Sequence, residues 1–364
     1  MRILHLITSL KIGGAESFLV YLLEKFKNDE NEHVVVYFYD GPNVEILKKL
    51  GFSVFKISGK FKLYDPWFYF SLKNLIKKIK PDLIHTSLWS ANIVGRIIAK
   101  KLNIPIVCDL HNDSKFNGKI RNFLEKRTIQ IPKKFVAVSN FVGESFKKSF
   151  LSASKDKITV IQNGIDFETL QKKAFENQLK RTDFGFSEND FIIGAIGRLE
   201  PIKSFDVLIK IFSELKEDRM KLCIVGDGSQ KNDLIKLSKE LGLENKVFFA
   251  GQRDDAYKFY PLFNCFALTS KTEGLSIALL EALSFGLPIL TTHQNLTHEV
   301  IVDGVNGFLI PRENNDLFVL KLKQIYSDQL LLNEIRNNNL KLIRTKFDIS
   351  KVVLKYKELY KEVV

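Results

Sequence analysis

The chain has 364 residues, 45% of them hydrophobic, with 20 glycines, 9 prolines and a formal net charge of +13. One hydrophobic core rarely organises more than about 250–300 residues, so two domains are expected, and the composition excludes disordered, collagen-like and mucin-like chains. The surplus charge is confined to the first half, where residues 1–160 carry 27 basic and 14 acidic side chains while residues 161–364 carry 28 of each; such a half suits nucleic acid, an anionic membrane surface or anionic substrates.

The chain opens on an apolar run, Ile3–Ile7, which predicts a first buried strand rather than a cleaved leader. Gly13-Gly14-Ala15-Glu16 follows, at the start of a helix predicted over Ala15–Phe26. Paired glycines there let backbone N–H groups approach an anion at the helix N-terminus, and a plain strand-to-helix turn explains them equally. Strands are predicted at His33–Tyr39, Ser53–Ile57, Asp82–His85, Ile104–Cys108 and Lys134–Val138, with helices at Trp67–Ile79 and Asn92–Lys101. Strand–helix alternation of this kind implies a parallel sheet.

The alternation stops near Asn163-Gly164-Ile165-Asp166 and a Lys-rich stretch runs to about Asp190. It restarts with strands at Phe191–Ile196, Lys221–Val225, Lys246–Ala250, Cys265–Leu268, Pro288–Thr291 and Gly307–Ile310. The expected architecture is α/β, two doubly wound Rossmann-like domains facing across a cleft. They span 1–165 and 166–344, and an amphipathic C-terminal helix at 345–364 crosses back to the first. Ligands of such sheets sit beyond the carboxyl ends of the strands.

Three constellations stand at those ends in the second half. Gly197-Arg198-Leu199-Glu200-Pro201-Ile202-Lys203 follows its first strand, and two cations there can neutralise a departing phosphate or simply be solvated. Gly226-Asp227-Gly228 follows the next strand but lacks the full dinucleotide glycine pattern. The third runs from Glu273, in a loop, through Gly274, Leu275 and Ser276 to Glu281. Gly274 and Leu275 are predicted to open a helix with Glu281 two turns into it, among Ile277, Leu279, Leu280 and Leu283. A carboxylate in so apolar a setting needs a partner or a ligand; sugar and ribose hydroxyls are suitable.

Cys108, Cys223 and Cys265 form no CxxC and no metal spacing with the six histidines, which reads as buried thiols in a reducing, cytosolic compartment. No apolar run approaches the ~18 residues of a membrane span. No two aspartates stand two positions apart, so the pair that holds a divalent ion on a diphosphate is missing, and Arg198 with Lys203 can supply that charge; no metal and no cofactor are expected.

Glu273 and Glu281 with seven residues between them, followed by Gly286-Leu287-Pro288, resemble the E-x7-E motif of glycosyltransferase family 4. Gly13-Gly14-Ala15-Glu16, Asn163-Gly164-Ile165-Asp166, Gly197-Arg198 with Lys203, Gly226-Asp227-Gly228 and Asp303-Gly304-Val305-Asn306-Gly307 resemble further family segments, in the family's order, from Ile3 to about Ile310. The resemblance implies a retaining GT-B enzyme using a nucleotide-sugar donor, a UDP-sugar ahead of a GDP-sugar. By the same resemblance Glu281 would bind the donor ribose and Glu273 the donor sugar. Arg198 and Lys203 would hold the departing diphosphate, the Leu275 and Ser276 amides would assist, and His111 would stand beside the sugar. Gly13, Gly14 and Glu16 would form the acceptor-side loop. Two departures are visible. Thr292–Glu299 replaces a glycine-rich stretch, which bears on sugar selection, and Asn112 separates His111 from Asp113. His5, His33 and His85 read as ordinary core histidines.

The resemblance places the acceptor on the N-terminal, basic domain, which suits a glycan or lipid-linked acceptor of cell-envelope polysaccharide synthesis and a place on the inner face of the cytoplasmic membrane. Leu72–Lys80 and Lys115–Lys134 are basic and amphipathic; such segments either dock on anionic lipid or cover the sheet with their apolar faces. Competing readings are a nucleotide-sugar epimerase and a non-catalytic nucleotide-sugar-binding module. Nucleic acid is not expected as a partner, since aromatic-basic and zinc-finger motifs are missing.

Overall fold

The computed structural model describes residues 1–58, 65–114, 118–150, 155–292 and 298–364. It divides into two units, Met1–Gly164 with Ile349–Val364, and Ile165–Asp348. Lys115 and the segment 293–297 lie outside the described residues.

The first unit is a parallel sheet of seven strands: β1 (Arg2–Ser9), β2 (Glu32–Tyr39), β3 (Ser53–Lys56), β4 (Leu83–Ser87), β5 (Ile106–Leu110), β6 (Lys134–Ala137) and β7 (Ile158–Val160), in the order β3-β2-β1-β4-β5-β6-β7. Ile3, Leu4, Leu6 and Ile7 are all fully buried; alternate side chains point to opposite faces, so both faces of β1 are covered, as in parallel sheets. Helices fill the connections. Pro66–Ile79 shows why they form where they do: Asp65 accepts from Trp67 N at 2.9 Å and proline occupies the first turn. Phe68, Leu72, Ile76 and Ile79 recur on the buried face, and Lys80 ends the helix in a left-handed conformation at φ 50°. Trp89–Leu102 starts three residues before the predicted helix. Ile349–Val363 belongs to this unit and buries Val352, Val353, Tyr356, Leu359 and Tyr360.

The second unit is a parallel sheet of β8 (Phe191–Ile196), β9 (Met220–Val225), β10 (Val247–Gly251), β11 (Cys265–Leu268), β12 (Ile289–Thr291) and β13 (Gly307–Leu309), in the order β10-β9-β8-β11-β12-β13. Its core joins Ile193, Ala195, Leu222 and Ile224 of the strands to Leu208 and Phe212 of the helix Phe205–Ser213 and to Phe318, Leu322 and Ile325 of Asn315–Ser327. Strand order reverses between β8 and β11, and a switch point of this kind leaves a crevice beyond the strand ends. All three cysteines are free and buried. No helix among the described residues is long and apolar enough to cross a membrane.

Candidate functional site

At the switch point, Lys203 Nζ donates to Glu273 Oε1 at 2.5 Å and Ser270 Oγ donates to the same oxygen at 2.6 Å. The two charged side chains are 19% and 10% exposed, so the pair is sheltered yet open to a ligand. Lys203 is aimed by its backbone. Its amide donates to Glu200 O, Lys271 N donates to Ile202 O, and Thr269 Oγ1 donates to Ser204 O at 2.9 Å. Ser204 itself is fully buried at φ 51°, with its hydroxyl unpartnered. A left-handed serine is strained, and such strain persists where surrounding contacts impose it. The sequence carries no sign of this, because serine is at home in ordinary turns.

Gly197 and Gly226 close the turn beside them. Gly226 has φ 149°, and a Cβ there would lie 1.9 Å from Gly197 O; no larger residue fits without moving backbone. Arg198, in the loop beyond β8, is exposed. Glu200 is bound by the Ser229 hydroxyl and amide, which hold its carboxyl below the ordinary value.

The helix carrying Glu281 begins later than the sequence pattern predicts. It spans Ile277–Ser284, with Ser276 at the cap position (φ −65°, ψ 121°), and Gly274 and Leu275 precede it as buried loop. Glycine inside a helix is unfavourable, which moves the start past Gly274; Ser276 takes the cap position by its extended backbone and makes no side-chain cap bond. Glu281 therefore stands one turn in, not two. Its partner is Tyr260, fully buried on the short helix Ala256–Leu262, whose hydroxyl donates to Glu281 Oε2 at 2.8 Å. Tyr260 was not among the residues singled out from sequence; its ring stacks on Phe285 at 5.5 Å, a contact no spacing reveals. Beyond β10, Gln252, Arg253, Asp254, Asp255 and Tyr257 line an open depression of about 630 Å³, with Arg253 in a two-bond pair with Asp255 at 2.8 and 3.0 Å. Among the described residues no three His, Cys, Asp or Glu side chains converge on a metal-sized site.

In the first unit, Gly13 is the cap of the helix Gly14–Phe26 and Glu16 folds back over it, so that a Cβ on Gly13 would meet Glu16 Oε2 at 2.5 Å. Ser9 Oγ donates to Glu16 Oε1 at 2.5 Å. The carboxylate thus stands over the first turn, where the helix dipole favours a negative group. His111 lies just past the end of β5, its side chain 9% exposed, with Nε2 3.7 Å from Asp109 Oδ2. Burial pushes the Asp109 carboxyl up. The hydrogen bond from His85 and the nearness of the His85 and His111 rings outweigh that and hold it well below the carboxylate range.

The two basic stretches differ. Pro66–Ile79 covers the sheet with its apolar face. Lys119–Thr128 does the reverse: Glu125 is buried and paired with fully buried Arg96 at 2.5 Å, while Ile120 and Phe123 are 77% and 57% exposed among Lys119, Arg121, Lys126 and Arg127. By unit, basic and acidic residues number 31 and 16 in the first and 24 and 26 in the second.

Two parallel Rossmann-like sheets, with a cation–carboxylate pair and a glycine turn at the switch point of the second, define a glycosyltransferase of the GT-B fold. The chain belongs to glycosyltransferase family 4: the family described as Glycosyltransferase Family 4 matches residues 12–169, and Glycosyl transferases group 1 matches residues 176–342. It is 29% identical over 306 residues to UDP-Gal:alpha-D-GlcNAc-diphosphoundecaprenol alpha-1,3-galactosyltransferase of Escherichia coli, covering 81% of this chain and 79% of that one. It is 30% identical over 245 residues to N-acetylgalactosamine-N,N'-diacetylbacillosaminyl-diphospho-undecaprenol 4-alpha-N-acetylgalactosaminyltransferase of Campylobacter jejuni, covering 66% of this chain and 63% of that one. The crystal structure of Anabaena HepE in complex with UDP-glucose is alike in fold over the whole of both chains, with a TM-score of 0.87 at 23% identity.

Proposed function

We propose that this protein is a retaining, metal-independent glycosyltransferase that moves a sugar from a nucleoside-diphosphate sugar, a UDP-sugar ahead of a GDP-sugar, to a hydroxyl of a lipid-linked or cell-surface glycan. The observation that carries this reading is the convergence of Lys203, Ser270 and Glu273 at the switch point of the second sheet. In the free protein Lys203 and Glu273 satisfy each other. A donor separates them, the ammonium turning to the diphosphate and the carboxylate to sugar hydroxyls.

As the bond from the anomeric carbon to the β-phosphate oxygen breaks, positive charge grows on the sugar and negative charge on the phosphate. Arg198 and Lys203 stabilise the second; donor binding has by then turned the Lys203 ammonium to the diphosphate, so little further reorganisation is needed as the bond breaks. Glu281, fixed by Tyr260, accepts from the ribose hydroxyls. The acceptor oxygen attacks the same face that the phosphate leaves, and its proton passes to the departing phosphate oxygen. His111 borders the sugar, and the Gly13–Gly14 loop with Glu16 borders the acceptor. The diphosphoundecaprenol in the names of both relatives supports a lipid-linked acceptor. The helix Lys119–Thr128, apolar at Ile120 and Phe123 within a basic frame, supports a peripheral seat on the inner face of the cytoplasmic membrane.

The reading is tested by incubating the protein with UDP-glucose or UDP-galactose and an undecaprenyl-diphosphate-linked sugar, with EDTA present. Release of UDP that depends on the acceptor, with an α-linked product by proton NMR, is expected. A β-linked product overturns retention, and activity that EDTA abolishes and a divalent ion restores overturns metal independence. Full activity in both Lys203→Ala and Glu281→Ala overturns the site.

A further inference from the structure

Four adjacent strands of the first sheet bury a titratable side chain: His33 on β2, His5 on β1, His85 on β4 and Asp109 on β5. All four are at most 5% exposed, and His5 faces His85 in direct register. Burying polar groups in a sheet is unfavourable unless each finds a partner. Here His5 Nε2 meets His33 Nδ1 at 2.9 Å, and His33 reaches Asp29, which Lys357 holds at 2.8 Å. At the other end, His85 Nε2 meets Asp109 Oδ1 at 2.8 Å and Ser87 Oγ donates to Oδ2 at 2.9 Å.

The last helix covers this row. Tyr356 donates to Asp109 Oδ1 at 3.2 Å, and the Tyr360 hydroxyl meets His85 Nδ1 at 2.7 Å. With a carboxylate at Nε2, His85 carries its proton there and accepts from Tyr360 at Nδ1. Oδ1 of Asp109 is thereby saturated, and Oδ2 is left with one donor and an open side. That side faces His111, whose buried Nε2 has no hydrogen-bond partner and lies 3.7 Å away. This is too long for a hydrogen bond. Contacts at reacting sites often stand long in the free protein and close when ligand binds.

We propose that Tyr356 and His85 are positioning residues for His111: the last helix fixes Asp109 so that Oδ2 takes up His111 Nε2 and presents the other ring nitrogen toward the sugar. The proposal rests on the sugar-side reading of His111 given above.

The test uses the full chain with 15N-labelled histidine. Tyr356→Phe removes one hydroxyl and keeps the ring against Phe18 and His85. The His111 ring signals, assigned by their loss in His111→Gln, are expected to move in Tyr356→Phe, both alone and with UDP-glucose added. With UDP-glucose or UDP-galactose and a lipid-diphosphate acceptor, Tyr356→Phe is expected to lower kcat about threefold to thirtyfold, with donor KM within about twofold, and to add no further loss in the His111→Gln background. If Tyr356→Phe is unfolded at the assay temperature, Ser87→Ala, which removes the donor to Oδ2, takes its place with the same expectation. Unmoved His111 signals, or an equal loss in both backgrounds, overturn the proposal. Signals that move while His111→Gln keeps full turnover leave the coupling standing and overturn the sugar-side reading instead.

Discussion

Lys203, Ser204, Ser270 and Glu273 sit in loops beyond the strands of the second sheet, whereas His5, His33, His85 and Asp109 sit inside the strands of the first. Lys203 and Glu273 are partly open, and with Ser270 they are bonded to one another, so a ligand can exchange with their partners. The strand groups are sealed beneath a helix, and their protonation is bound up with folding. One fold type, used twice in one chain, thus separates groups that meet substrate from sealed groups that hold and orient others, and only the second should respond to pH through stability.

The sharpest way to break that comparison is Lys203→Ala. Removing a cation that meets the leaving phosphate is expected to lower kcat/KM by about 10²–10³, measured as acceptor-dependent UDP release. The same change should lower the unfolding free energy by no more than about 1 kcal/mol, since Glu273 keeps the Ser270 hydroxyl and an opening to solvent. Unfolding in proportion to the lost turnover would contradict the division.

The strand row makes the opposite expectation. Burial lowers His5 well below its ordinary value, helped by the nearness of His33 and His85, and burial lowers His33 despite Asp29. The unfolded chain protonates these rings near pH 6.5, and the folded chain does so only at lower pH. Stability is therefore complete above about pH 6.5 and falls below it, by up to about 1.4 kcal/mol per pH unit for each histidine, until the folded values are reached. Calorimetry at pH 7.5 and 5 should show the transition of the first unit falling by more than that of the second; equal shifts would remove the distinction.

A smaller effect is expected at the exposed apolar residues. Changing Ile120 and Phe123 together to serine should weaken binding to phosphatidylserine vesicles at low salt about tenfold or more, given two large side chains withdrawn from the interface. Stability should move by no more than about 0.5 kcal/mol. Unchanged vesicle binding would show the helix to be an ordinary solvated face. The smallest expected effect is a gain: Ser204→Gly relieves a left-handed φ and deletes an unpartnered buried hydroxyl, and should stabilise the second unit by about 1 kcal/mol. A loss of stability there would mean that the serine hydroxyl holds the Lys203 loop.

Much of the fold was legible because parallel strands are buried on both faces and appear as short apolar runs, so Phe191–Ile196 and Cys265–Leu268 have the same bounds in the structure as in the pattern. Of the site, Glu273 and Lys203 could be named but not joined, since 70 residues separate them. The helix start was misplaced because periodicity does not locate a cap. The orientation of the Lys119–Thr128 helix was also hidden: its apolar residues suggest an inward face, yet Arg96, deep in the sheet-side packing, draws Glu125 inward and turns Ile120 and Phe123 out.

By itself the sequence determined what depends on neighbours along the chain: the alternation of strands and helices, the glycine turns after β8 and β9, the spacing of Glu273 and Glu281, and the place of the surplus charge. Only the tertiary structure decided what depends on register and long closure. Tyr356 meets Asp109 across 247 residues, and His5 meets His85 because β1 pairs with β4 rather than with the next strand beyond β2. Side-chain hydrogen bonds reach about 3 Å, so such partners exist for each other only after the sheet has ordered its strands and the last helix has closed over them.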